Sequence, residues 1–154
     1  MNENPEIFSE PMAVIYSEKI RVLPTRSCTL EIPERENDVR LLHTLLGIEI
    51  KIGRRRFACP DLATARYMRI FARIGCREFA IPYDITRISS LADELETAWQ
   101  RSLLLLETNS AGVTDQELKR IRNRLLRSIR AQIALIGPGD RMPEFKQSTK
   151  QRET

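Results

Sequence analysis

The sequence predicts an α+β fold: a small mixed sheet of four to five short strands with a central helix, finished by two longer C-terminal helices. Three observations carry this. Short strand-like stretches at 27–32, 48–52 and 76–82 flank a stretch of helical period at 60–74. That helical stretch opens on Pro60 and stops at Gly75, the residues suited to a helix start and a left-handed stop. Beyond residue 84 the strand signal ceases and two long amphipathic patterns follow.

Residues 1–11 are polar, carry two prolines and have no period, so a flexible arm is expected. Val14, Tyr16, Ile20 and Val22 then suggest strands at 12–16 and 19–23, a hairpin or one bent strand around Ser17-Glu18. In 27–32, Cys28, Leu30 and Ile32 alternate with Thr29 and Glu31, the pattern of a half-buried strand. Asn37 or Asp38 is expected to cap a short helix reaching Leu46. Val39, Leu42, Leu45 and Leu46 share its face, and Gly47 stands at its C-terminal cap. Ile48, Ile50 and Ile52 alternate into a strand, and Gly53-Arg54 turns it into a second strand at 55–59.

The central helix spans 60–74 and a strand follows at 76–82. A helix lying between two strands, seen twice, is compatible with parallel pairing through right-handed crossovers. Asp84 or Thr86 starts a long helix to Thr108. After a polar linker, Thr114 and Glu117 form a capping box for a last helix reaching Ile136, and Gly137-Pro138-Gly139 ends it. The expected organisation is an arm over 1–11, one domain over 12–137 and a disordered tail over 138–154.

Charge concentrates around the central helix. The chain has 25 basic and 21 acidic residues, a net charge of +4, too small to argue polyanion binding from the total. Its bases are 20 arginines and 5 lysines, and the planar fork of Arg suits phosphates and carboxylates. Seven arginines fall within 53–80, answered only by Asp61 and Glu78. On a helical wheel Arg66, Arg69 and Arg73 form one ridge, while Ala63, Tyr67, Ile70, Phe71 and Ile74 form the opposite face. Arg54, Arg55, Arg56, Arg66, Arg69 and Arg73 are therefore the candidate surface for an anion or a partner. The competing reading is internal neutralisation of the ridge by Asp93, Glu94, Glu96 and Glu107 on the following helix.

On the last helix Lys119, Arg120, Arg124, Arg127 and Arg130 share a broad face. Arg122 instead projects into the apolar stripe. An unpaired buried charge is costly. Arg122 must then snorkel, meet a carboxylate from another helix or lie at a subunit interface, and Arg120, Arg122, Arg124 and Arg127 are the candidate interface.

Other chemistries lack residues. His43 is the single histidine and no CxxC spacing occurs, so neither metal nor other cofactor is expected. No phosphate-loop or dinucleotide motif is present. Cys59, preceding Pro60 near Arg54–Arg56, is the one thiol with an argument for reactivity, set against burial as an inert cysteine. The balance leans against an enzyme. Three unpaired cysteines and a polar start without a secretory leader give a cytoplasmic, reducing expectation. The longest apolar run, 103–106, predicts no membrane span. The reading is a small non-enzymatic binding or regulatory protein whose arginines contact nucleic acid or another polyanion. The alternative is an interaction or assembly module, a homo-oligomer or a complex subunit, whose arginines ion-pair with an acidic protein partner.

Overall fold

A computed structural model describes residues 8–139. Most of the expected arm and tail, 1–7 and 140–154, lies outside the described residues. The elements are α1 Pro11–Ile15, running on into a π-helical turn Tyr16–Ile20, then β1 Thr25–Thr29, β2 Val39–Thr44, β3 Gly47–Ile52 and β4 Arg55–Cys59. There follow α2 Leu62–Ile74, β5 Glu78–Pro82, a 3₁₀ turn Ile85–Arg87, α3 Ile88–Asn109 and α4 Asp115–Ile136. The fold is α+β, and the strands divide into two antiparallel sheets, β1–β5 and β2–β3–β4. The expected parallel pairing is corrected: β5 returns antiparallel to β1, with Ser27 opposite Ala80, and β2, β3 and β4 form a meander joined by two-residue turns.

The two strands expected at 12–16 and 19–23 are helical. Pro11 takes a first-turn position where its missing N–H costs nothing. Met12, Ala13, Tyr16 and Ile20 are buried at helical spacing. The β-branched residues that suggested a strand were overruled by this packing. Tyr16 then fixes β5. Its hydroxyl accepts from the Ala80 N–H at 2.8 Å and donates to the Gly137 carbonyl. The Tyr67 hydroxyl donates to the Ala80 carbonyl at 2.7 Å. Both backbone groups on the free edge of β5 at Ala80 are thus satisfied, so this sheet ends at two strands without an open edge there. Beneath it Phe71 stacks on Phe79 with centroids 4.4 Å apart, the centre of an aromatic cluster with Tyr16 and Tyr67.

The helix expected from Asn37 to Leu46 is the strand β2. Thr44 closes the turn: its hydroxyl accepts from Leu46 N–H at 3.1 Å and donates to the Gly47 carbonyl at 3.0 Å. Leu45 and Leu46, read as helix face, sit fully exposed at the hairpin tip. Asn37 does cap a helix, but a different one and at the other end. Its Nδ2 donates to the carbonyls of Pro33, Arg35 and Ala72, each at 3.0 Å. Its backbone N–H donates to the Arg73 carbonyl at 3.0 Å. Arg130 Nη1 donates to the Ile74 carbonyl at 2.7 Å. The Arg73 and Ile74 carbonyls of the last turn of α2 are therefore satisfied by the 33–38 loop and by α4, and the Ala72 carbonyl gains a second donor beside the Gly75 N–H. Gly75 permits this contact. Its φ is +88°, and a Cβ there would lie 2.3 Å from the Arg35 carbonyl oxygen.

The strand expected at 27–32 lies two residues earlier, at Thr25–Thr29, and α2 starts at Leu62, with Pro60 outside the helix before its cap; the remaining elements follow the sequence reading. Asp61 caps α2 through the Thr64 N–H at 2.8 Å. Asp84 caps the 3₁₀ turn leading into α3. The Thr114–Glu117 capping box starts α4.

Candidate functional site: a cationic groove

The six arginines of the candidate surface do not stay together. A strand alternates its side chains, so Arg55 and Arg56 on β4 face opposite sides. Arg55 pairs with Glu31 at 3.2 Å and Arg56 with Glu49 at 3.4 Å, all largely exposed but Glu49. The α2 ridge is divided as well. Arg66 Nη2 donates to Asp93 at 2.5 Å and to Glu96 at 2.7 Å, and Arg69 Nη2 donates to Glu96 at 3.1 Å. The acidic face of α3 thus neutralises two of its three arginines, and Lys19 takes Glu94 at 2.6 Å. The Glu96 and Asp93 hydrogen bonds hold the Arg66 guanidinium well above its ordinary pKa.

Arg73, one turn further along, forms no ion pair with the acids of α3, although the charges of Glu96, Asp38 and Glu36 act on it from a distance. It makes no hydrogen bond or ion pair through its side chain to any described residue. Burial and then the neighbouring Arg69 push its pKa down. It opens into a groove of about 1730 Å³ bounded by the 33–38 loop, one end of the β2–β3–β4 sheet, α3 and α4. The loop gives Arg35, the sheet Arg40, Lys51, Arg54 and Arg55, α2 gives Arg73, and α4 gives Lys119, Arg122, Arg127 and Arg130. Among the described residues, three acids stand against these ten cations, Glu34, Glu36 and Asp38.

The α4 wall follows from helical period. Lys119, Arg122, Asn123, Leu126, Arg127, Arg130, Ala131 and Ala134 line the groove and recur every three or four residues. From residue 119 to 134 this stripe is roughly 22 Å long at 1.5 Å per residue. Ala131 and Ala134 have short side chains that leave its end open. On the sheet, Arg40 stands directly opposite Lys51, and Lys51 opposite Arg56. Like charges so placed destabilise a sheet. Glu49 offsets this at Arg56, while Arg40 and Lys51 have no such partner among the described residues.

Three of the ten groove cations are engaged: Arg55 with Glu31, Arg130 with the Ile74 carbonyl, and Arg122 with Glu36. The other seven make no side-chain hydrogen bond or ion pair to any described residue. Arg122 departs from the expectation in one respect: its carboxylate comes from a loop and not from another helix. Its Nε donates to Glu36 Oε1 at 2.7 Å and its Nη2 to Oε2 at 2.5 Å. Its guanidinium also lies 5.9 Å from the centre of the Trp99 ring. Of the remaining candidate interface, Arg127 lines the groove, whereas Arg120 and Arg124 are exposed outside it.

Reasoning from sequence found Arg54, Arg55 and Arg73 and placed Arg127 on a different kind of surface. Arg35, Arg40 and Lys51 were not expected as site residues: the helix assigned to 37–46 hid the strand that carries Arg40 and pairs it with Lys51. The usable signal was Thr44-Leu45-Leu46-Gly47, a turn between two apolar runs.

Burial disfavours the thiolate at all three cysteines. Burial pushes the Cys59 thiol to about 11 and the Cys76 thiol to about 12, and raises Cys28 too. All three cysteines are free. Among the described residues no group of three His, Cys, Asp or Glu side chains is placed to hold a metal ion. No helix among them is long and apolar enough to cross a membrane. No protein-family model, no curated protein sequence and no solved structure matches the chain.

Proposed function

We propose that this chain is a non-enzymatic binding protein that holds the phosphate backbone of a nucleic acid in the groove between the β2–β3–β4 sheet and α4. One observation carries the reading: seven groove cations, Arg35, Arg40, Lys51, Arg54, Arg73, Lys119 and Arg127, have no side-chain partner among the described residues. Unpaired like charges gathered along one cleft cost stability and are offset by an anion of matching charge density. The groove is sized for a polymer. Roughly 22 Å spans about six phosphates of one strand at 3.4 Å per phosphate.

Recognition runs through the backbone. Among the described residues Trp99 is the one aromatic side chain lining the groove, and it is 4% exposed beneath Arg122. It offers no open face for base stacking, so binding is weakly sequence-specific. The arginine surface first expected on α2 shifts accordingly. Arg66 and Arg69 hold α3 in place, while Arg54 and Arg73 belong to the binding face. Three free cysteines support a reducing, cytoplasmic setting.

The test is a titration of a labelled DNA duplex oligonucleotide of mixed sequence over a range of salt. Each phosphate neutralised contributes about 0.9 to the slope of log K against log salt, so six predict a slope of about −5. Absence of binding at low salt sinks the proposal.

A second reading, self-assembly, draws on Leu104 and Leu105, which are 63% and 59% exposed on α3. A monomer by light scattering at micromolar concentration disposes of it.

A further inference from the structure

Among the described residues, the three acids lining the groove come from one short stretch, Glu34, Glu36 and Asp38. Among the described residues only Glu36 reaches a cation, and it does so as a bidentate pair with Arg122. Both side chains are about one-third exposed, at 32% each, so the pair stands at the groove wall and not in the core. The loop beneath is rigidly held, because Asn37 is tied to the end of α2 by its side chain and its backbone. The Glu36 carboxylate is therefore presented to Arg122 at a fixed place, and releasing it requires rotation of one side chain.

A guanidinium fork accepts a carboxylate and a phosphate in the same two-pronged geometry. Two carboxylate oxygens on Nε and Nη2 stand where the two free oxygens of a phosphodiester would bind. The guanidinium is further oriented by the Trp99 ring beside it. Lys119, one turn away on α4, lines the groove on the same side. We propose that Arg122 over Trp99 is an anion subsite of the groove, and that Glu36 is its internal occupant, displaced when a phosphodiester strand binds. This rests on the groove reading above.

The consequence is selectivity by charge density. A single phosphate gains one contact and must evict a carboxylate already in place. A polymer secured by the seven open cations evicts it with the rest of its contacts already made. A displaced Glu36 also repels the bound backbone. The exchange is close to neutral in counterions, so Arg122 adds little to the salt slope while Glu36 is present.

The experiment titrates the same labelled oligonucleotide into wild type, Glu36→Gln, Arg122→Ala and the double variant, each first checked for folding by circular dichroism. Glu36→Gln should bind more tightly. Its slope should steepen by about 0.9, which is about eight-fold in affinity at about 0.1 M salt relative to about 1 M. The steepening should vanish in the double variant, because the contact it exposes is gone. Inorganic phosphate should compete with the oligonucleotide more strongly on Glu36→Gln than on wild type. If Glu36→Gln fails to fold, Glu36→Ala serves, with the same expectation. A pair that merely ties the loop to α4 would give a lower melting temperature with slope and affinity unchanged, and that result overturns the inference. Absence of wild-type binding overturns the groove reading instead, so the two failures are distinguishable.

Discussion

Asn37→Asp separates two accounts of one residue. If Asn37 capped the start of a helix, Asp would serve as well, since both are equally good N-caps. In the structure it faces carbonyl oxygens. Its Nδ2 donates to Pro33, Arg35 and Ala72, each at 3.0 Å, and the residue is 8% exposed. Aspartate has no donor to offer these acceptors and places a negative charge at the negative end of α2. Stranding buried acceptors costs about 1–3 kcal/mol, and an unfavourable charge at a helix end adds about 0.3–1 kcal/mol. The expected loss is about 1–4 kcal/mol, a large fraction of the roughly 5–15 kcal/mol of a typical domain. Urea melts should show a lower midpoint with an unchanged slope. Asn37→Ala should fall between wild type and Asp, because it lacks the donor but brings no charge. Acidification should recover part of the Asp loss, since the protonated acid regains one donor. A change below about 0.5 kcal/mol for Asn37→Asp would refute the assignment of Asn37 to the end of α2.

Two further outcomes follow from the same geometry. Glu96 is pulled up by burial, but hydrogen bonds from Arg66 and Arg69 outweigh this and hold it below the ordinary carboxylate range. Its folded pKa is lowered, so its stabilisation is full above the unfolded value of about 4.3 and is lost as pH falls through the folded one. Glu96→Gln should cost about 1–3 kcal/mol at neutral pH and flatten the acid limb of stability against pH. Parallel limbs for variant and wild type would contradict this. The thiols of Cys28, Cys59 and Cys76 are all raised by burial, so the folded protein should react slowly with a disulfide reagent at pH near 8 and rapidly once denatured. One fast native thiol at Cys59 would reopen the thiol reading.

What the sequence made legible follows from how local each signal is. The 48–59 hairpin, α2, α3 and α4 rest on alternation, capping residues and helical period, all readable within one turn or one strand. Residues 12–23 misled because packing decided their state: Tyr16 meets Ala80 and Gly137, 64 and 121 residues away. Asn37 misled for the same reason, since its acceptor Ala72 is 35 residues distant. The cationic ridge of α2 was a correct periodicity, but its partners on α3 decide which arginines remain open. The groove assembles a loop, one end of a sheet and three helices, and no single stretch of sequence carries its shape. Arg122 alone announced a non-local partner, as a charge in an apolar stripe. The partner proved to be Glu36, 86 residues earlier.

The most direct measurement compares salt slopes for two sets of arginine variants. Arg54→Ala, Lys119→Ala and Arg127→Ala together remove three open groove cations and should lower the slope magnitude by about 2.7. Arg66→Ala with Arg69→Ala removes the pairs that join α2 to α3, and should lower stability while leaving the slope at its wild-type value. The reverse pattern, with the slope falling for the α2 pair and holding for the groove triple, would place the contact surface on the ridge and contradict the groove.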